Sequence, residues 1–343
     1  MKLQYKKFES KRRFGVEFEM SNDLTRKRIS HAISSMSDRS VKVSRYALSS
    51  KNNYWHVKSD SSCGPRGVDG PCGIEVATYI CSGSCDAHHV SRTMGAVKKL
   101  GATVNEHCGL HVHVDVSDFS EDDIGRMLLF WVAIERVLTC AMPPTRHNNK
   151  YCKTLTSVYD EFFLEWLYRL HGAGSIAKIF KPCNDLFMDN AAKRRTINVV
   201  NFYKVLDRDS EPRKTVEFRW AEGSLRPLDI RCWVFLFVSF IDNVKSNLIC
   251  PLQYLGKSGG VRVSDVLEVL GLGTLSEDAF SILDHDLFAT RKWLLKRVVS
   301  MPSTISLHKV PHGDAMTGFQ EGVKMEAQTL LDLMNKHDGG SDE

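Results

Sequence analysis

Apolar and polar positions alternate with a period of two in several short stretches of the chain and recur at helical spacing in longer ones. Residues 14–20, 72–80, 108–116 and 214–221 are rich in β-branched and aromatic side chains, as strands are. After the third stretch, Ser120 stands three residues before Asp123 in the arrangement of a capping box. Ile124, Met127, Leu128, Trp131, Ile134 and Leu138 then follow on one helical face. That helix is expected to stop near the Pro143-Pro144 pair. Residues 86–100, 157–171, 228–247, 276–299 and 315–336 also read as helices, with Gly101 placed to end the first. Strands mixed with helices up to residue 250, then mainly helices, predict an α+β fold. Its core would lie in 1–250 and a helical C-terminal region in 251–343 would pack on that core, with a frayed tail at 338–343.

The same alternation sorts the chemistry. Glu17 and Glu19 share one strand face while Val16, Phe18 and Met20 share the other. His111, His113 and Asp115 stand opposite Leu110, Val112, Val114 and Val116, and Glu217 and Arg219 stand opposite Val216, Phe218 and Trp220. One such strand is the polar side of a half-exposed sheet. Three of them loaded with Glu, His and Arg, rather than Thr, Ser and Lys, point to a cleft. Two carboxylates about 7 Å apart along a strand repel each other once water is withdrawn, and a bound cation relieves that. Glutamates favour hard ions such as Mg2+ or Mn2+, and imidazole can complete a site, particularly for manganese or zinc. Arg219 supplies a donor fork suited to phosphate oxygens. Glu75, flanked by Ile74 and Val76, is a candidate third carboxylate ligand or else a single exposed strand glutamate. The Arg146 to Tyr151 segment reads as a polar loop, functional or simply solvated.

Composition narrows the setting. The apolar run Trp233 to Ile241 is nine residues, far below the roughly 20 that span a membrane, and the basic N-terminus has no apolar stretch behind it to form a signal-peptide core. A cytoplasmic chain without a membrane partner is expected. The net charge of +5 with only short basic runs suits anionic small ligands and predicts no stable nucleic-acid partner. Cys63, Cys72, Cys81, Cys85 and Cys108 cluster without a paired zinc spacing, so free thiols are expected. A zinc ion completed by His88, His89 or His107 is the alternative.

Phe14-Gly15-Val16-Glu17-Phe18-Glu19, Cys108-Gly109-Leu110-His111-Val112-His113-Val114 and Thr215-Val216-Glu217-Phe218-Arg219 resemble, in order, the motifs of the amidoligases, carboxylate-amine ligases related to glutamine synthetase and glutamate-cysteine ligase. The resemblance runs from about residue 14 to residue 240. It implies a glutamine-synthetase-like, curved, mainly antiparallel sheet with flanking helices, whose concave face holds divalent ions (Mg2+ or Mn2+) bridging ATP and substrate. By the same resemblance Glu17, Glu19, Glu75, His111 and Glu217 would be metal ligands. His113 and Arg219 would reach the transferred phosphate, and Lys150 and Arg195 would lie near the nucleotide. Asp60 resembles the family's Asp in the turn after Trp55-His56-Val57-Lys58-Ser59, although the Cys-, Gly- and Pro-rich stretch between Asp60 and Glu75 departs from the family pattern.

The implied reaction is ATP-dependent amide formation through an acyl phosphate, releasing ADP and phosphate. Its substrates would be the carboxylate and amine of small molecules, peptides or modified bases. No residue identifies itself as the general base, and neither the substrates nor the oligomeric state are written in the sequence. Two other classes stay open: a zinc-dependent hydrolase using His111, His113 and a glutamate, and a nucleic-acid-binding protein using the basic runs.

Overall fold

The computed structural model describes residues 8–21, 24–44, 53–63, 73–147, 149–155, 194–203, 214–246, 251–255, 260–273, 285–302 and 313–337. Strand β1, Arg13–Met20, organises them, because its even-numbered apolar side chains, Phe14 to Met20, are all buried while its odd-numbered side chains share the other face. The chain continues through α1 (Arg26–Ser34), β2 (Val41–Val43), β3 (Trp55–Ser59), β4 (Ile74–Ala77), β5 (Cys81–Ser82) and α2 (Gly83–Lys99). Next come β6 (Leu110–Asp115), α3 (Glu121–Thr139), α4 (Pro144–His147), β7 (Ile197–Asn198), α5 (Val200–Tyr203) and β8 (Thr215–Phe218). The helices α6 (Pro227–Ser246), α7 (Leu252–Leu255), α8 (Val263–Val269), α9 (His285–Ser300) and α10 (Gly313–His337) follow.

The strands form one eight-stranded sheet in the order β2-β3-β4-β1-β6-β8-β7, with β5 also paired to β1. Every pairing is antiparallel except β2 with β3. The oily face of the sheet rests on α3 and α6. Phe218 of β8 stacks on Phe237 at 4.3 Å between ring centroids and lies 5.3 Å from Trp131, contacts that contribute about 0.5–1.5 kcal/mol each beyond burial alone. Trp233 of α6 meets Trp293 of α9 edge-on at 4.9 Å, which joins the C-terminal helices to the same core. No helix among the described residues is long and apolar enough to cross a membrane.

Several boundaries differ from the sequence expectation for identifiable reasons. The strand expected over 72–80 is interrupted at Thr78, whose hydroxyl and backbone N–H bond the two backbone groups of Val16, and pairing resumes only at Cys81. The capping box at Ser120 is present, but α3 ends at Thr139 rather than at the proline pair. There the His147 ring reaches the carbonyls of Thr139 and Met142 at 3.0 Å and caps the helix. Pro144 instead begins α4, where a missing N–H costs nothing. The strand expected over 214–221 stops at Phe218, leaving Arg219 just past its end. The expected helix at 157–171, residues 276–284 of another, Cys72 and the tail 338–343 lie outside the described residues.

Candidate active site

Register carries the loaded faces together. Glu17 on β1 stands opposite His111 on β6, Glu19 opposite Glu75 on β4, His113 opposite Glu217 on β8, and Glu217 opposite Asn198 on β7. Directly opposed residues are the nearest neighbours in a sheet, so alternation and register alone gather these side chains on one face.

His111 sits at the centre. Its Nδ1 is 3.5 Å from Glu17 Oε2 and 3.6 Å from Glu217 Oε1, and its Nε2 is 3.6 Å from Glu19 Oε1. His113 Nε2 lies 3.4 Å from Glu17 Oε1 and 4.0 Å from Glu217 Oε1, and among the described residues this buried ring nitrogen makes no hydrogen bond. The Arg219 guanidinium donates to Glu217 Oε1, lies 3.5 Å from His111 Nδ1, and donates through Nε to the Tyr151 carbonyl at 3.4 Å. Asn198 Nδ2 donates to the other Glu217 oxygen at 2.7 Å, and the Gly109 N–H donates to Glu19 Oε2 at 2.6 Å. Gly109 has to be small, because a Cβ there would stand 2.7 Å from His111 Nε2.

The electrostatics follow from burial and crowding. Burial opposes ionisation of Glu17, but the charges of His113 and His111 outweigh it and hold the carboxyl well below its usual range. Glu217 is likewise buried and is held low by Arg219, with help from the two imidazoles. Burial also disfavours a charged His113, yet Glu17 and Glu217 push it up to about 9. Glu75 goes the other way, raised to about 8 by burial and by Glu17, although Lys58 Nζ lies 2.6 Å from its Oε1.

Ligand atoms of Glu17, His113 and Glu217 all lie within 4.8 Å of one another, and such a set of hard oxygens with one imidazole fits Mg2+ or Mn2+. The structure thus brings together Glu17, Glu19, His111, His113, Glu217 and Arg219, with Glu75 beside them. Lys150 and Arg195 each precede a residue whose carbonyl holds Arg219, namely Tyr151 and Thr196. The Lys150 ammonium rides over the Tyr151 ring at 4.9 Å, and Arg195 is a buried residue bridged through its backbone to Lys153.

Residues 10–241 match the model of the family described as "Putative amidoligase enzyme". The chain belongs to the amidoligase family. Among solved structures it is similar to a chain in the complex between prokaryotic ubiquitin-like protein Pup and its ligase PafA, with 10% identity and a TM-score of 0.33. The match covers 96% of this chain and 65% of that chain, so this amidoligase-family protein spans less than two thirds of the other's length. No curated protein matches it.

Five residues near this amidoligase-family site, Asn198, Lys58, His56, Arg146 and Tyr151, were assigned no role in it from the sequence. Asn198 steers Glu217, and its position between Ile197 and Val199 is the one local hint. Lys58 and His56 repeat the two-residue spacing of the other strands, so β3 could have been found by the same rule. Arg146, expected in a loop, lies on α4 and is buried, with its guanidinium donating to the Trp220 carbonyl at 3.2 Å and the Arg219 carbonyl at 2.6 Å. Tyr151 ends the polar segment that the sequence offered as a loop, functional or solvated, but it acts through its backbone carbonyl, which no side chain announces. The histidines offered for a zinc alternative have other neighbours among the described residues. His88 contacts Asp286 at 3.1 Å, His89 contacts Ser37 at 3.1 Å, and His107 lies beside Glu106.

Proposed function

We propose that the chain is an ATP-dependent carboxylate-amine ligase that activates its substrate as an acyl phosphate and releases ADP and phosphate. The observation that carries this reading is the convergence of Glu17, His113 and Glu217 within one ligand sphere, with Arg219 fixed against Glu217. Glu17, Glu19, His111 and Glu217 would hold divalent ions, with Glu75 as a further carboxylate. When bound, the ions would neutralise charge on the phosphates and orient the two reactants.

The chain's own residues do the positioning. Asn198 and the Gly109 N–H fix the rotamers of Glu217 and Glu19, so the carboxylates are ordered before any ligand arrives. Arg219, held by Tyr151 and Glu217, presents the remaining donors of a planar fork to the oxygens of the transferring phosphoryl group. His113 offers the unpartnered ring nitrogen to the same group. A substrate carboxylate oxygen attacks the terminal phosphorus of ATP and the bond to ADP breaks. An amine nitrogen then attacks the acyl carbon, phosphate leaves, and the amine proton passes to solvent or base.

Incubation of the purified protein with ATP, Mg2+ or Mn2+ and a panel of carboxylates, with hydroxylamine as a surrogate amine, tests the reading. ADP and a hydroxamate are expected. AMP and pyrophosphate, or amide hydrolysis by the zinc-loaded chain with no need for ATP, would refute it.

A further inference from the structure

The odd positions of β1 read Arg13, Gly15, Glu17 and Glu19, so the one residue without a side chain stands between the acid cluster and a guanidinium. Register sets Gly15 opposite His113 and Ala77 opposite Glu17, which leaves two nearly bare positions on the loaded face. A Cβ on Gly15 would meet only Thr78 Oγ1, at 3.9 Å, so the space above it is open. That space is a cavity of about 290 Å3, close to the lower end of the roughly 300–1,000 Å3 of small-molecule sites. Glu17 and His113 line one part of it. Arg13 and Asp115, further along the same two strands, line another.

The part of the cavity away from the ion cluster is built. Asp115 accepts the Ser117 N–H through Oδ1 at 3.0 Å, and its Oδ2 holds Arg13 Nε at 2.8 Å and Nη2 at 2.7 Å. Among the described residues the guanidinium has no other acceptor, so Nη1 and the remaining N–H of Nη2 stay available to an anion. Such a planar fork matches a carboxylate. The candidate active site uses the same device, where the Glu217 carboxylate orients the Arg219 guanidinium.

A molecule seated here meets an acid at one end and a cation at the other. Glu17 favours an ammonium beside the reacting centre, and Arg13 favours a carboxylate at the far end. Two positions along a strand separate His113 from Asp115, so the two ends stand about 7 Å apart. An α-amino acid does not span that distance. A short peptide or an ω-amino acid does.

We propose that this cavity seats the amine substrate, and that the substrate is a short peptide or ω-amino acid whose carboxylate is held by Arg13. This rests on the ligase reading and names the class of one of its two substrates. Arg13 is a specificity residue here, selecting the amine without touching the phosphoryl group.

The test pairs each of glycine, γ-aminobutyrate, ε-aminocaproate and glycylglycine with its own carboxamide as the amine. Each is added with ATP, Mn2+ and the carboxylate that yields a hydroxamate with hydroxylamine. Mass spectrometry identifies the amide formed on the added amine, and its rate is read as kcat/KM. The longer acids are expected to exceed their carboxamides by about 10- to 100-fold, the scale of a hydrogen bond between charged groups, with no such gap for glycine. Arg13→Gln should erase the gap by raising KM for the acids. The Arg13 side chain is 59% exposed, so the melting curve should not move. Equal use of acid and carboxamide, a gap that survives Arg13→Gln, a gap as large for glycine, or hydroxamate formation with none of these amines accepted would overturn the substrate inference and leave the ligase reading standing. No ADP and no hydroxamate with any carboxylate would end the ligase reading itself, and this inference with it.

Discussion

Arg219→Lys is the perturbation on which the ligase and hydrolase readings part. The native guanidinium reaches Glu217, the Tyr151 carbonyl and the edge of His111 at once, so its plane is fixed by contacts on two sides. A lysine ammonium can keep the ion pair with Glu217 but cannot also span to Tyr151 and face a phosphoryl group, because it is a point donor on a flexible stem. One donor aimed at developing charge is worth roughly 1.4–4 kcal/mol, which converts to a loss of about 10- to 1000-fold in kcat. The backbone should not move, since the Arg219 N–H is held by the Thr196 carbonyl and the Arg219 carbonyl by Arg146. The assay is ADP release with hydroxylamine present, read as kcat and as KM for ATP, with thermal unfolding as the control on fold. Turnover within about twofold of the native chain, with an unchanged melting curve, would refute the role given to Arg219.

Other outcomes follow from the same geometry. Glu17→Gln and Glu217→Gln should each abolish ATP turnover while leaving circular dichroism unchanged, and either variant retaining full activity would remove that residue from the ion site. Gly109→Ala should lower ion affinity and activity together, because the added carbon meets His111 Nε2 at 2.7 Å and Glu19 Oε2 at 3.3 Å; an unchanged Mn2+ titration would sink this. The raised His113 gives a pH dependence of stability in chelator. Charged His113 contributes fully below its ordinary value of 6.5, and that contribution is lost as pH climbs through about 9. The melting temperature in chelator should therefore fall over that window, and a flat profile would show that Glu17 and Glu217 do not hold the proton there.

What the sequence made legible was whatever depends on the period of a strand. The opposition of Val16 and Phe18 to Glu17 and Glu19 is a local rule, and β1, β6 and β8 follow it with ends within a few residues of the expected ones. The supports were hidden because they depend on register and on contacts between distant segments. Arg146 lies 73 positions from the Arg219 carbonyl it holds, and Asn198 lies 19 positions from Glu217. Nothing within either segment announces such a partner. The cysteines show both sides of this. Their spacing holds no paired zinc motif, and it does not announce that Asn105 links the Cys63 carbonyl to the Cys108 sulfur.

The balance of charge on the loaded face completes the argument. Glu17, Glu19, Glu75 and Glu217 crowd one surface of the sheet, and three of them are buried. Lys58 pairs with Glu75 and Arg219 with Glu217, so two of the four are matched by fixed cations. Glu17 lies 3.4 Å from the His113 imidazole, which neutralises it only by carrying a proton. A divalent ion supplies positive charge while His113 gives up its proton, so binding it must release protons. Calorimetry of Mn2+ binding near neutral pH in buffers of different ionisation enthalpy should show that release, and Glu17→Gln should diminish it. Binding heats independent of buffer would mean that His113 is already neutral, and the charge balance drawn from Glu17 and His113 would fail.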